Sequence, residues 1–487
     1  MSIRHKAVQG YKWNLASAIL AVVLQCLQVY YTAKFLSPED FGVWGVVVLL
    51  TGFALIFNDV GIGGAIIHHQ EMPSKHLSSL YWLTLFVGLA VALIILLIMP
   101  LVEYFFRMEN ISGYFIVIAA TVVVISLGKQ YEILLQKGLR FKQSSIIESI
   151  SLLIGFVTII ILLNLGYKVG ALVWGFFLNS VSKTALLVQY GFKEYRPALH
   201  FNMSEIRQYV GFGLFQLGEK NVNFFSERFD HIIIGKILGA GQLGLYSFAF
   251  NLIYQPISKV NPIINKISLP VFAKIQDNIL EVKNVFFKKL KVLTYVNAAI
   301  LLGLFAISQT MILYIFGEKW QQSIVLLQLL SIVFLFKSIW NPMGSVLLAL
   351  GKASVGFYWN ILLVIVTVPI VLFSSISGDV TYVGFCLIGG QLLMFVPNYY
   401  LLVRPALGNC FMELINALAK PLLISGIMCG SVYYIGDVLK AHNFSPLLVL
   451  IFQILSGIIL QPVLMYIFDK KAVLEIYSFL KLKDTSN

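Results

Sequence analysis

Two sets of polar residues stand inside apolar stretches of this 487-residue chain, and their spacing is that of one helix face. The first set is Asn14, Ser17, Gln25, Gln28 and Thr32. The second is Gln216, Glu219, Lys220, Asn223, Glu227, Asp230 and His231. Amides and hydroxyls so placed exchange hydrogen bonds with a polar ligand, while Lys220, Arg228 and the acids offer charge. A shift of 202 positions carries Asn14 onto Gln216, Ser17 onto Glu219, Gln25 onto Glu227 and Gln28 onto Asp230. The same face is therefore polar twice. Lipid does not tolerate such a face, which predicts that both line an aqueous cleft. The competing reading is helix packing, since polar side chains also join helices and charges near span ends reach the interface.

Further candidates extend the cleft. Asn251, Gln255, Lys259 and Asn261 follow one another along a later apolar run that Pro256 and Pro262 interrupt. Lys337 lies deep in another, followed by Trp340 and Asn341-Pro342. A lone lysine at that depth is costly unless hydrated or paired, and Glu227 or Asp230 are its candidate partners. Asn58 and Asp59 end a run, where Asp59 reads as an interfacial cap. Gly344 to Ser354 has the wrong spacing for a phosphate loop, and His68-His69 has no further ligands nearby. No metal site, nucleophile elbow or soluble catalytic cleft is expected.

The elements that position these residues are membrane spans. The chain is 59% hydrophobic and 12% charged, with a mean hydropathy of +0.86, against about 45–50% and about 25% for soluble domains. Apolar runs of some twenty residues match a ~30 Å hydrocarbon core, not the alternation of barrel strands. Fourteen spans are expected, near 12–33, 41–59, 78–100, 112–128, 145–164, 169–190, 208–235, 242–265, 289–308, 322–349, 355–376, 380–403, 414–436 and 446–468. The net charge of +13 does not point to nucleic acid, because the basic residues concentrate in alternate loops. The opposite loops hold only Lys34, Arg107, Lys168, Lys236, Lys319 and Lys440. That asymmetry places both termini in the cytoplasm. Cys26, Cys386, Cys410 and Cys429 read as small hydrophobes.

A repeat organises the spans. Lys34-Phe-Leu-Ser-Pro-Glu-Asp-Phe-Gly-Val-Trp44 matches Lys236-Ile-Leu-Gly-Ala-Gly-Gln-Leu-Gly-Leu-Tyr246 at the same 202-residue offset. The offset spans six helices, so the copies share one polarity in the membrane. The expected fold is an all-α polytopic membrane protein of about 14 helices. Two parallel-repeat six-helix bundles, 1–190 and 208–403, are joined by a cytoplasmic linker, 191–207. Region 404–487 adds a two-helix hairpin and a cytoplasmic tail.

Several stretches resemble the multidrug/oligosaccharidyl-lipid/polysaccharide exporter superfamily, and within it the Wzx-type exporters of the colanic-acid and teichuronic-acid branch. They include Phe35-Leu-Ser-Pro-Glu-Asp-Phe-Gly, Asp59-Val-Gly-Ile-Gly, Gln136-Lys-Gly-Leu-Arg-Phe, Ile237-Leu-Gly-Ala-Gly, Pro270-Val-Phe-Ala-Lys-Ile-Gln-Asp, Phe316-Gly-Glu-Lys-Trp and Asn341-Pro-Met-Gly-Ser. The resemblance implies a non-enzymatic flippase for undecaprenyl-diphosphate-linked oligosaccharide, working by alternating access in the bacterial inner membrane. It implies no cofactor, with H+ or Na+ as candidate coupling ions. The implied partners are the lipid-linked substrate, membrane lipids and, downstream, polysaccharide polymerase and export machinery. Lys220, Arg228 and Lys337 then become candidate partners of the diphosphate. A cation-coupled drug antiporter of the same fold and a membrane polymerase or ligase are the alternatives.

Overall fold

The computed structural model describes residues 3–58, 63, 66, 72–108, 111–193 and 195–473, with backbone alone for 3–12, 15, 208, 211–216, 219, 223, 262–267, 269, 270 and 353. No strand occurs among them, and thirteen helical stretches are long and apolar enough to cross a membrane. Spans seven and eight run together here, which accounts for thirteen against the expected fourteen. The chain is a multi-pass membrane protein. Large apolar side chains such as Leu97, Leu101, Ile458 and Ile459 point outward, as lipid-facing positions must.

Contacts group the chain into two units, Met1–Gly244 and Leu245–Asn487. The first contains α1 (Ile3–Phe35), α2 (Pro38–Asn58), α3 (Ser74–Phe106), α4 (Ser112–Lys137), α5 (Phe141–Asn164), α6 (Val169–Gly191) and the beginning of α7 (Met203–Lys274). Local chemistry sets the boundaries. Ser37 caps α2: its hydroxyl accepts from the Asp40 amide at 3.2 Å, and its own amide donates back to Asp40 Oδ2 at 3.0 Å. Pro38 follows at the first helical position, where its missing N–H costs nothing. Glu103 accepts from the Ser112 amide at 2.9 Å and closes the α3–α4 turn.

α6 packs on both α5 and α4, and α1 packs on α5. The α5–α6 crossing is close because glycines face each other. A Cβ on Gly155 would stand 3.0 Å from the Gly175 carbonyl oxygen, and one on Gly175 3.1 Å from that of Gly155. Small residues let membrane helices approach in this way when water supplies no hydrophobic drive between them. The expected linker is strapped to the start of α3. Ser78 Oγ meets Tyr195 Oη at 2.8 Å and accepts from the Ala198 amide at 3.1 Å, while Trp82 Nε1 donates to the Ala198 carbonyl at 2.8 Å.

Helix α7 breaks at Gly239, whose φ of 82° and ψ of −177° lie in a region open only to glycine. The second unit holds the rest of α7 with α8 (Ile279–Met311), α9 (Ser323–Trp340), α10 (Met343–Ala349), α11 (Ala353–Ser375), α12 (Val380–Asn398), α13 (Arg404–Leu407), α14 (Phe411–Ala441) and α15 (Pro446–Phe468). Asn278 caps α8 by accepting from the Glu281 amide at 3.2 Å. The expected C-terminal hairpin, α14–α15, packs on α8. Asp469, just past α15, accepts from Lys291 Nζ at 2.7 Å and from Tyr295 Oη at 2.9 Å.

Candidate functional site

The α1 stripe divides by depth. Asn14 Oδ1 accepts from Ser145 Oγ at 2.7 Å, and Ser17 Oγ lies 3.1 Å from Ser149 Oγ. Those two positions knit α1 to α5. Gln25 and Gln28 are half-buried higher on the helix, and Thr32 turns its hydroxyl back to the Gln28 carbonyl at 2.7 Å.

Along α7, Lys220 and Glu227 are exposed, seven residues apart on one face, and Arg228 is half-buried beside them. Asp230 and His231 are buried: one Asp230 oxygen accepts from both the His231 amide and its Nδ1, each at 2.7 Å. The side chains of Gln216, Glu219 and Asn223 lie outside the described residues, as do Asp59 and His68-His69.

In the second unit aromatic rings join α7 to α9, the helices that carry the remaining candidates. Phe250 stacks on Tyr254 with centroids 5.5 Å apart and meets Phe334 edge-on at 5.2 Å. Lys337 Nζ stands 5.5 Å over the Phe334 ring and is exposed. Half-buried Asn251 and Gln255, with exposed Lys259, follow one another at four-residue steps on α7, which puts them on one side of that helix. Exposed Asn341 follows Lys337 by one turn, beside Trp340, whose ring packs 5.2 Å from Phe395. Within its own unit Lys337 thus rests on a ring face. Amides and a cation suit a ligand that carries hydroxyls and negative charge.

Three polar features escape sequence reasoning. Lys289 is 3% exposed, donates to Ser345 Oγ at 3.2 Å and lies 5.7 Å over Phe272. Its signal was helical period, because Val282, Phe286, Lys289 and Leu293 share one buried face of α8; starting the span at residue 289 hid it. Glu132 lies in α4 rather than in a loop, 2.7 Å from Lys183 on α6 and 3.5 Å from Lys129. Asn297 donates to Asn261 Oδ1 at 3.1 Å, so Asn261 is engaged in a buried pair with α8. Outside the spans, the hydrogen bond from His200 holds the Glu205 carboxyl below the usual range, and burial raises the Tyr195 hydroxyl. No group of three or more metal-ligating side chains occurs among the described residues.

A model of the polysaccharide biosynthesis protein family matches residues 32–325. The chain belongs to that family. Over 444 residues it is 30% identical to the lipopolysaccharide biosynthesis protein WzxC of Escherichia coli (strain K12), covering 91% of this chain and 90% of the relative. It is also 30% identical over 359 residues to the teichuronic acid biosynthesis protein TuaB of Bacillus subtilis (strain 168), 74% of each. The fold is shared with the lipid II flippase MurJ in its inward closed conformation, at a TM-score of 0.74 and 14% identity, covering 96% of this chain and all of that one. The family anticipated from the sequence motifs is the one found.

Proposed function

We propose that this chain is a flippase. It carries an undecaprenyl-diphosphate-linked oligosaccharide repeat unit from the cytoplasmic to the outer face of the bacterial inner membrane by alternating access, feeding assembly of a surface polysaccharide. The observation that carries this reading is the nearly full-length relationship to a protein named for lipopolysaccharide biosynthesis. Physical chemistry supports it. Each sugar hydroxyl buried without a partner costs roughly 2–7 kcal/mol, so the head group needs replacement hydrogen bonds along its path. Gln25, Gln28, Asn251, Gln255 and Asn341 offer them. Lys220, Arg228 and Lys337 balance the diphosphate.

An H+ or Na+ gradient drives the cycle in this proposal, and the polymerase that uses the product acts on the outer face. The test is a deletion strain analysed for lipid-linked repeat units. Units trapped on the inner face, released by the intact gene, support the flippase. Units already accessible from outside in the deletion strain would overturn it in favour of a polymerase or ligase.

A further inference from the structure

The C-terminal end of α15 gathers lysines that the transport path does not use. Helix α15 has 23 residues, about 34 Å at 1.5 Å per residue, so it crosses a ~30 Å hydrocarbon core and ends at headgroup level. The charge pattern of the loops predicts that this end faces the cytoplasm. Just past it the chain turns: Asp469 accepts from the Ala472 amide at 3.3 Å. Ala472 is then buried with Tyr295, Ile424 and Met465 in one cluster that joins α8, α14 and α15. That cluster sets where the lysines stand. Lys470 and Lys471 directly precede Ala472, Lys420 lies one turn before Ile424 on α14, and Lys288 lies two turns before Tyr295 on one face of α8. All four are exposed.

The neighbouring charges are already neutralised. Lys291 holds Asp469 at 2.7 Å and Lys283 holds Glu413 at 2.6 Å, whereas none of the four pairs with a carboxylate among the described residues. The four also border lipid. Leu423 and Ile427 continue the Lys420 face of α14, and Tyr466, Ile467 and Phe468 lead into Lys470, all with exposed side chains. Lys470 Nζ stands 5.3 Å over the Tyr466 ring, an aromatic at the depth where such rings anchor helices. Apolar faces that suit acyl chains therefore end in uncompensated cations. A phosphodiester headgroup of net negative charge fits there, because its oxygens accept from ammonium groups while its chains lie along α14 and α15. We propose that Lys288, Lys420, Lys470 and Lys471 hold an anionic phospholipid of the cytoplasmic leaflet against the end of α15. The proposal is independent of the flippase reading.

The full-length protein in detergent is titrated with phosphatidylglycerol or with phosphatidylethanolamine, and bound lipid is counted by native mass spectrometry. Phosphatidylglycerol is expected to bind in preference. A basic residue beside an anionic surface is worth roughly fivefold in affinity, so Lys420→Gln, Lys470→Gln and Lys471→Gln together are expected to weaken the tightest site on the order of a hundredfold. The same three changed to Arg are expected to keep it. Lys75→Gln, Lys193→Gln and Lys274→Gln remove equal charge from other exposed positions predicted on the same side of the membrane, and should leave the site intact. Equal loss from both triple variants overturns the proposal in favour of diffuse charge, and unchanged binding in the first overturns it outright. Displacement of the lipid by inorganic pyrophosphate overturns it too, by assigning the lysines to a soluble phosphate. Every substituted side chain is exposed, so the unfolding temperature without lipid is expected to match across the variants, which separates lost binding from lost folding.

Discussion

At the scale of single residues, the second unit holds two lysines with opposite surroundings. Lys337 is exposed above Phe334, whose ring meets Phe250 of α7. Lys337→Ala is expected to lower export at least tenfold with normal protein levels, and Lys337→Arg to retain most of it. Equal export from the Ala variant would remove Lys337 from the path. Lys289 is buried against one hydroxyl and one ring. A long apolar side chain satisfies that site at least as well as a desolvated cation. Lys289→Met is therefore expected to keep or raise the unfolding temperature in detergent. Lys289→Ala should fall below the Met variant by about 2–5 kcal/mol, the usual cost of emptying a methionine-sized site. The sequence showed which residue types lie within spans. It did not show which face each occupies when the start of a helix is misjudged by ten residues.

At the scale of elements, glycines and caps decide how helices meet. Gly175 stands against Ile159 and the Gly155 backbone. Gly175→Val is expected to force α5 and α6 apart and cost about 1–3 kcal/mol, as overpacking does, measured by thermal unfolding against Gly113→Ala, which meets open space. The α15 end is held by Asp469. Burial would raise its carboxyl, but Lys291 and Tyr295 more than offset this and leave it below the ordinary value. A depressed carboxylate stabilises above its unfolded pKa, and the contribution fades as pH falls through the folded value. Protection of the α15 terminus from proteolysis should hold at neutral pH and weaken below about pH 4, the ordinary range of a free aspartate. Asp469→Asn should show the weakened state at every pH. These contacts join residues far apart in the chain, such as Asp469 and Tyr295, and no local pattern announces them.

At the scale of the whole molecule, the asymmetry of Lys and Arg between alternate loops predicts the orientation. Reporter fusions at either terminus are expected to report the cytoplasm, and fusions beside Lys168 or Lys440 the outside. An outward terminus would invert the direction assigned to transport. Span count, the repeat and the family were legible without coordinates, because a bilayer imposes length and apolarity on each helix separately and a duplication leaves its trace in order. Span seven read as polar along its length. The structure divides that set into an exposed face at Lys220 and Glu227 and a buried Asp230–His231 pair.

The sequence by itself determined an all-helical, multi-pass chain built twice over. Those properties follow from composition and spacing, which act one helix at a time. Only the tertiary structure decided that Asn14 and Ser17 bind α5, that Lys337 rests on Phe334, and that the two copies of the repeat meet glycine to carbonyl. Such pairings depend on how close two backbones come. At the glycines that distance is fixed by the side chains both partners lack, and it has no periodicity to read.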